Sequence, residues 1–431
     1  MAAAKIVYIG GGSTRAPGTV LSFIEQAQEF AGSEIALLDI DDGHLELVRG
    51  LAESFARARG ADLTFTATTD RAEALQDADA VLTSFRPGGF EARYLDESIP
   101  LSLGVIGQET QGPGGFFMAL RSIAVMKEIV ADIERLCPRA TIFNYTNPVN
   151  VIAEAVTHHS DVALMSLCEG PIVFGQEIVA SAGLDPDLLD VTMVGLNHGC
   201  WSIRHLYDGA DLMPILGSAY AEMVQEGRGE RPALRMIELA LAMGSLPASY
   251  FQYYYFTDEI FESLRAKPTT RAQDIMADVD GYWEHYLEQS KRGDPRLDPA
   301  RSRTGVQELE LAVDVMDAVL NDTGEIWPVN VPNRGAIADF PDDLVVEVPA
   351  YLDRHGANPL TCGSMPKGTI GLVGALAEYQ ALTAEAAWGG DRRDAVLALS
   401  THPLVRSVEK AEQLYAAMSA PLAEHLPERL R

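Results

Sequence analysis

Three features of the sequence predict an α/β fold, a doubly wound parallel sheet followed by a mixed α+β half. Short apolar segments alternate with helical patterns through about residue 165, the rhythm of parallel strands joined by crossover helices. A glycine-rich turn separates the first strand from the first helix. The chain has 431 residues, more than one core usually manages, so two closely packed domains are expected, 1–165 and 166–431.

Taken in order, residues 5–9 form an apolar strand that runs into Gly10, Gly11, Gly12, Ser13 and Thr14. Val20, Leu21, Phe23 and Ile24 then recur at helical spacing, and a second strand at 34–39 ends on Asp39. This is a βαβ unit of the Rossmann type. Glycines let the backbone approach a pyrophosphate, and the helix N-terminus faces its charge. Asp39 is placed to hold a ribose diol and to repel a 2′-phosphate, which favours NAD over NADP. The fingerprint departs from the usual form at two points: Arg15 stands where the third glycine would be, and Asp39 lies farther on than usual.

Further strands are expected at 63–66, 80–84 and 140–145. Residues 85–93, which include Arg86 and Arg93, read as a long loop, and 107–115 as a second, glycine-rich one. Loops of this kind at strand ends line sites. Asn147, before Pro148, puts an amide at the same rim. Two more apolar runs, 162–167 and 191–196, end next to Cys168 and His198. A Cys and a His delivered this way can share one divalent ion and leave positions open for substrate. A buried Cys is more often apolar filler and a lone His a hydrogen-bonded core residue, so the pair gains its meaning from the nucleotide turn and the other rim residues. The second half reads as helices at 232–246, 270–290 and 305–321, strands at 326–331 and 345–348, and a largely helical last third.

Composition narrows the partners. A net charge of −29 repels phosphate backbones and argues against nucleic-acid binding; an anionic substrate therefore needs its own cluster of Arg. Four cysteines at wide spacing make neither a disulfide framework nor a zinc pattern. No leader or membrane span is expected, and the cytoplasm follows by default.

A nicotinamide beside a divalent metal suggests alcohol oxidation, or chemistry that borrows it. One reading is a 2-hydroxy acid dehydrogenase. Arg86 and Arg93, Asn147-Pro148 and the Asn197-His198-Gly199 turn resemble the lactate and malate dehydrogenase layout, with His198 as proton acceptor and an Arg as carboxylate clamp. That leaves Cys168 without a role. A second resemblance covers nearly the whole chain. It is carried by Ile9-Gly-Gly-Gly-Ser-Thr14, Arg86-Pro-Gly-Gly89, Ile99-Pro-Leu101, Gly107-Gln-Glu-Thr110 and Asn147-Pro148. Leu167-Cys168, Gly195-Leu-Asn-His198, Pro341-Asp-Asp343 and Ser400-Thr-His-Pro-Leu404 continue it in the same order. These segments resemble glycoside hydrolase family 4, the NAD- and manganese-dependent glycosidases, most nearly the 6-phospho-β-glucosidase branch. That family's fold is related to lactate and malate dehydrogenases.

The resemblance implies a sequence of oxidation at sugar C3, proton removal at C2, elimination of the aglycone from C1, addition of water and return of the hydride. It implies that Cys168 and His198 bind Mn²⁺, that Tyr250 is the base at C2, and that Asn147 binds sugar. A sugar phosphate would be clamped by Arg271 or Arg334, with help from Arg86 and Arg93. It also implies a homodimer or homotetramer. The phosphosugar branches resemble Cys-Asn-X-Pro or Cys-Asp-X-Pro after the metal cysteine, whereas this chain has Cys168-Glu169-Gly170-Pro171. Glu169 is either a leaving-group acid or a residue that orients the metal site. A 6-phospho-α-glucoside, a uronide or a sulfosugar therefore stands as the alternative substrate.

Overall fold

The structure, a computed structural model, describes residues 3–303 and 309–431. Among these residues twelve strands form one sheet. They are β1 (Lys5–Ile9), β2 (Ser33–Leu38), β3 (Leu63–Thr68), β4 (Ala80–Thr83), β5 (Thr141–Asn144) and β6 (Leu164–Ser166) in the first half. Then come β7 (Leu189–Leu196), β8 (Gly199–Tyr207), β9 (Ala210–Asp211), β10 (Ile326–Pro332), β11 (Val345–Asp353) and β12 (Gly356–Pro359). The order is β3-β2-β1-β4-β5-β6-β10-β11-β7-β8-β9, with β12 on β11. Pairing among β1 to β6 is parallel throughout, the doubly wound order in which growth of the sheet reverses between β1 and β4. Beyond β6 the pairings are antiparallel, and the sheet is continuous across the change.

The pleat sends alternate residues to opposite faces. Ile6, Tyr8, Ile35, Leu37, Leu82 and Phe143 enter one core, and Val7, Ile9, Ala36, Leu38, Val81 and Ile142 enter the other. A parallel sheet covered on both faces must be apolar on both, which is why these strands read as unbroken apolar runs. Helices Ala16–Glu25, Gly89–Ser102, Val149–His159 and Gly170–Ser181 follow β1, β4, β5 and β6. Their N-terminal turns gather at one rim.

Three features differ from the sequence expectation. The loop at 85–93 is short, because the Gly89–Ser102 helix has already begun and Arg93 is helical. The glycine-rich 107–115 stretch gives way to the Gly112–Leu136 helix, whose Pro113 lies in the first turn; there a missing N–H costs nothing. The pattern also does not single out β8, β9 and β12, of which β8 forms a hairpin with β7. A helix runs over Glu310–Leu320; the first residues of the helix expected at 305–321 lie outside the described ones. Among the described residues no helix is long and apolar enough to cross a membrane.

Candidate active site

The turn after β1 is built by packing. A Cβ on Gly10, which holds φ at +103°, would meet the Ser84 carbonyl oxygen at 2.1 Å, and one on Gly11 would meet the Leu37 Cβ at 2.9 Å. Gly12 donates its N–H to Asp39 Oδ2 at 2.8 Å. Asp39 thus stands directly beside the glycine turn and the first turn of the Ala16–Glu25 helix, with Ser13 and Thr14 between. A bare-backbone cradle, a helix N-terminus and an adjacent carboxylate fit the diphosphate and ribose of a dinucleotide.

At the same rim, the two strand-end residues singled out by the sequence meet. Cys168 follows β6, and His198 sits in the two-residue turn between β7 and β8. Cys168 Sγ lies 3.6 Å from His198 Nε2. Metal bonds of roughly 2.1 Å to imidazole and 2.3 Å to thiolate put such donors about 3.1–3.6 Å apart on one ion. His198 holds φ at +58°, a left-handed conformation uncommon for a non-glycine residue. Its Nδ1 is 2.9 Å from Thr110 Oγ1. The Tyr250 ring lies flat on the imidazole, 3.7 Å between centroids and 6° from parallel, and Phe174 packs edge-on against both. Tyr250 is the member of the 250–255 aromatic run that stacks on His198; Tyr254 instead donates to Gln111 and Tyr255 is exposed.

Burial governs the protonation of this group. It pushes His198 down to about 3 and Cys168 up to about 12, the latter with help from the Glu347 and Glu169 charges. The Tyr250 phenol is also raised by burial, and further by the charges of Cys168 and Glu109. Alone, the pair is therefore a neutral imidazole and a thiol. A divalent cation reverses the cysteine's preference, since a coordinated thiol is deprotonated outright. Among the described residues no cluster of three or more His, Cys, Asp or Glu could hold a metal. Two protein donors with the remaining positions open fit an ion whose shell is completed by substrate oxygens.

The charged groups form a separate layer. Glu109 pairs with Arg86 and, at 2.7 Å, with Arg93, which bonds Glu97 Oε1 at 2.8 Å. Burial raises the Glu109 carboxyl, but the Arg86 and Arg93 charges outweigh it and hold it near about 2. Glu97 Oε2 also accepts from Ala272 N at 2.8 Å, so exposed Arg271, one residue earlier, opens the Arg271–Ser290 helix beside this network. Asn147 is half-buried, its carbonyl accepting from Ser122 Oγ at 3.0 Å. Glu169 precedes the Gly170–Ser181 helix and accepts from Tyr145 OH at 2.8 Å.

Arg334 is not brought to this group. Its N–H bonds the Asp342 carbonyl, and the neighbouring Asp343 carbonyl meets His158 in the last turn of the Val149–His159 helix. Asn147 precedes the opposite end of that helix, about 16 Å away along its axis. Two further residues belong to the site. Thr110 lay within a recognised segment without an assigned role. Buried Glu347 accepts from Asn197 at 2.9 Å and Asn330 at 3.0 Å, and burial pushes its carboxyl up to about 7. A lone acid among the valines of 345–348 was its signal.

Two family models account for most of the chain. The family 4 glycosyl hydrolase model matches residues 5–184, and the family 4 glycosyl hydrolase C-terminal domain matches 193–405. The chain belongs to glycosyl hydrolase family 4. Within family 4, a probable 6-phospho-β-glucosidase of Bacillus subtilis is 36% identical over 98% of this chain and 97% of its own length. A 6-phospho-α-glucosidase from gut microorganisms, solved with NAD and Mn²⁺, superposes with a TM-score of 0.85 at 27% identity, covering 99% of this chain and 100% of that one. The 6-phospho-β-glucosidase of Thermotoga maritima, solved with NAD and glucose-6-phosphate, gives 0.84 at 26% identity, covering 99% of each. A malate dehydrogenase of Plasmodium falciparum, at 11% identity and a TM-score of 0.52 over 90% of this chain and 100% of that one, shares the fold alone.

Proposed function

We propose that this family 4 enzyme hydrolyses 6-phosphoglucosides with NAD⁺ and Mn²⁺, the β-glucoside being favoured. The observation that carries the reading is the 3.6 Å approach of Cys168 Sγ to His198 Nε2. Solved relatives that hold NAD, Mn²⁺ and glucose-6-phosphate support the cofactors and the phosphosugar. The β preference leans on the 36% identity to a probable 6-phospho-β-glucosidase. In this reading the parallel part of the sheet, through about residue 165, serves the nucleotide and the remainder serves the sugar. Assembly as a dimer or tetramer belongs to the same proposal.

Bound at these sites, NAD⁺ would accept the C3 hydride and Mn²⁺ would polarise the C2 and C3 oxygens, making the C2 proton acidic. Cys168 and His198 hold the metal from one side and leave the sugar side free. Tyr250 takes the C2 proton; its ring is fixed by stacking on His198. Glu169, held by Tyr145, gives a proton to the departing C1 oxygen. The Asn147 amide orients the sugar, and Arg86, Arg93 and Arg271 meet its phosphate, offsetting the repulsion of a chain carrying −29.

A panel of nitrophenyl glucosides, in both anomers and with or without the 6-phosphate, tests the reading with Mn²⁺ and NAD⁺ present. Hydrolysis of the phosphorylated β-glucoside is expected, abolished by chelation, restored by Mn²⁺, with NAD⁺ required but not consumed. Stoichiometric conversion of NAD⁺ to NADH without glycoside cleavage would overturn it; cleavage confined to α-glucosides or uronides would overturn the substrate assignment.

A further inference from the structure

We propose that Thr110 is a positioning residue that selects the metal-binding tautomer of His198. The inference rests on the reading of Cys168 and His198 as metal donors. Its basis is a hydrogen count. Gln108 Oε1 accepts from Thr110 N at 2.6 Å, from Gln111 N at 2.9 Å and from Thr110 Oγ1 at 3.1 Å. Two backbone N–H groups on that atom identify it as the amide oxygen, which can only accept. The single hydrogen of the Thr110 hydroxyl is therefore committed to Gln108, and its lone pairs remain to accept.

His198 Nδ1, 2.9 Å from the hydroxyl oxygen, must then be the donor. A neutral imidazole has one N–H. With the hydrogen on Nδ1, the Nε2 lone pair faces the space shared with Cys168 Sγ, as a metal requires. The opposite tautomer would direct an N–H at the sulfur and close that space.

The backbone holds Thr110 in place. A Cβ on Gly115 would lie 2.3 Å from the Thr110 carbonyl carbon, and one on Gly114 would lie 2.4 Å from the Gln108 carbonyl oxygen. The turn is seated against the start of the Gly112–Leu136 helix without room for a side chain between. The Gly107-Gln-Glu-Thr110 segment thereby acquires a physical role: Gln108 sets the hydroxyl, Thr110 sets the imidazole and Glu109 binds the arginines.

The test is Mn²⁺ titration of NAD⁺-loaded protein, followed by the electron paramagnetic resonance of free Mn²⁺. Outer partners of metal ligands typically contribute about 10–100-fold in affinity. Thr110→Val keeps the shape and removes the acceptor, so it should weaken Mn²⁺ by that factor, with NAD⁺ affinity and melting temperature unchanged. Thr110→Ser should restore binding. Wild-type Mn²⁺ affinity in Thr110→Val, with Cys168→Ala having lost it, overturns the role of Thr110 alone. Wild-type affinity in both overturns the metal assignment and this inference together. A second readout needs no variant: the ¹⁵N shifts of His198 in metal-free wild-type protein should report Nδ1–H, and an Nε2–H tautomer overturns the proposal.

Discussion

Tyr250→Phe removes one oxygen and leaves the ring that lies 3.7 Å above His198. The stacking, the Phe174 edge contact and the Cys168–His198 pair should persist, so Mn²⁺ and NAD⁺ affinities are expected to match the wild type. On the proposed mechanism, what is lost is the proton acceptor for C2. General-base catalysis contributes typically about 10²–10⁴-fold, or about 2.7–5.4 kcal/mol of barrier, and kcat should fall by that factor. The pH dependence has a definite sign. The phenol is raised by burial and by the Cys168 and Glu109 charges, and it acts only when deprotonated. Turnover in the wild type should therefore climb with pH on the alkaline side, and Tyr250→Phe should flatten that limb. Release of nitrophenol from the 6-phosphoglucoside measures kcat, and NMR of sugar released in D₂O measures deuterium at C2. A variant within threefold of wild-type turnover, or with undiminished deuterium at C2, would remove Tyr250 from the role.

Glu169→Gln should spare nitrophenyl substrates, whose leaving group needs little protonation, and slow alkyl 6-phosphoglucosides by about 10²-fold or more; equal losses on both would assign Glu169 to orienting the site. Arg121 is fully buried and bidentate to Asp96, at 3.0 and 2.6 Å, tying the Gly89–Ser102 helix, which carries Arg93, to the Gly112–Leu136 helix. Asp96→Asn leaves that guanidinium uncompensated and should cost about 3–5 kcal/mol in denaturant unfolding; a loss under about 1 kcal/mol would contradict this. Glu109 is depressed from 4.5 to about 2 by Arg86 and Arg93 against burial. Its contribution to stability is complete above its unfolded value and lost as pH falls toward the folded one. The melting-temperature gap between wild type and Glu109→Gln should therefore narrow below about pH 4.5, and a constant gap would refute the assignment.

The parallel half was legible because each strand is buried on both faces and each turn carries its own signal. Cys168 and His198 were legible for a related reason: each stands at the end of an apolar run, where a strand hands a side chain to the rim. Partners far apart in the chain were not. Thr110 and His198 are 88 positions apart, and no local pattern ties a threonine to that histidine. Arg86 and Arg93 gain Glu109 as a partner only once the chain folds, 23 and 16 positions away in sequence. The helix start at Gly89 was hidden by two left-handed glycines, at φ +82° and +62°, which on sequence alone belong to a loop. Arg334 failed differently: basicity identifies a clamp only if the fold brings it to the rim, and the Val149–His159 helix separates its turn from Asn147.

The same packing explains why a dehydrogenase-like scaffold serves a hydrolase. A hydroxy-acid dehydrogenase needs an imidazole nitrogen free to take the hydroxyl proton. Here Nδ1 of His198 is engaged by Thr110 and Nε2 faces Cys168, so neither nitrogen is open to a substrate hydroxyl. The fold keeps the strand order and the nucleotide turn, but the β7–β8 hairpin turns its histidine onto a cysteine from β6. In the proposed mechanism proton transfer falls to a different group lying over that pair, and Tyr250 is the titratable side chain stacked there. On that proposal, moving the base from the imidazole to the phenol frees the histidine to be a ligand, and makes the acidity of a carbon-bound proton, rather than a hydroxyl proton, the quantity the site must control.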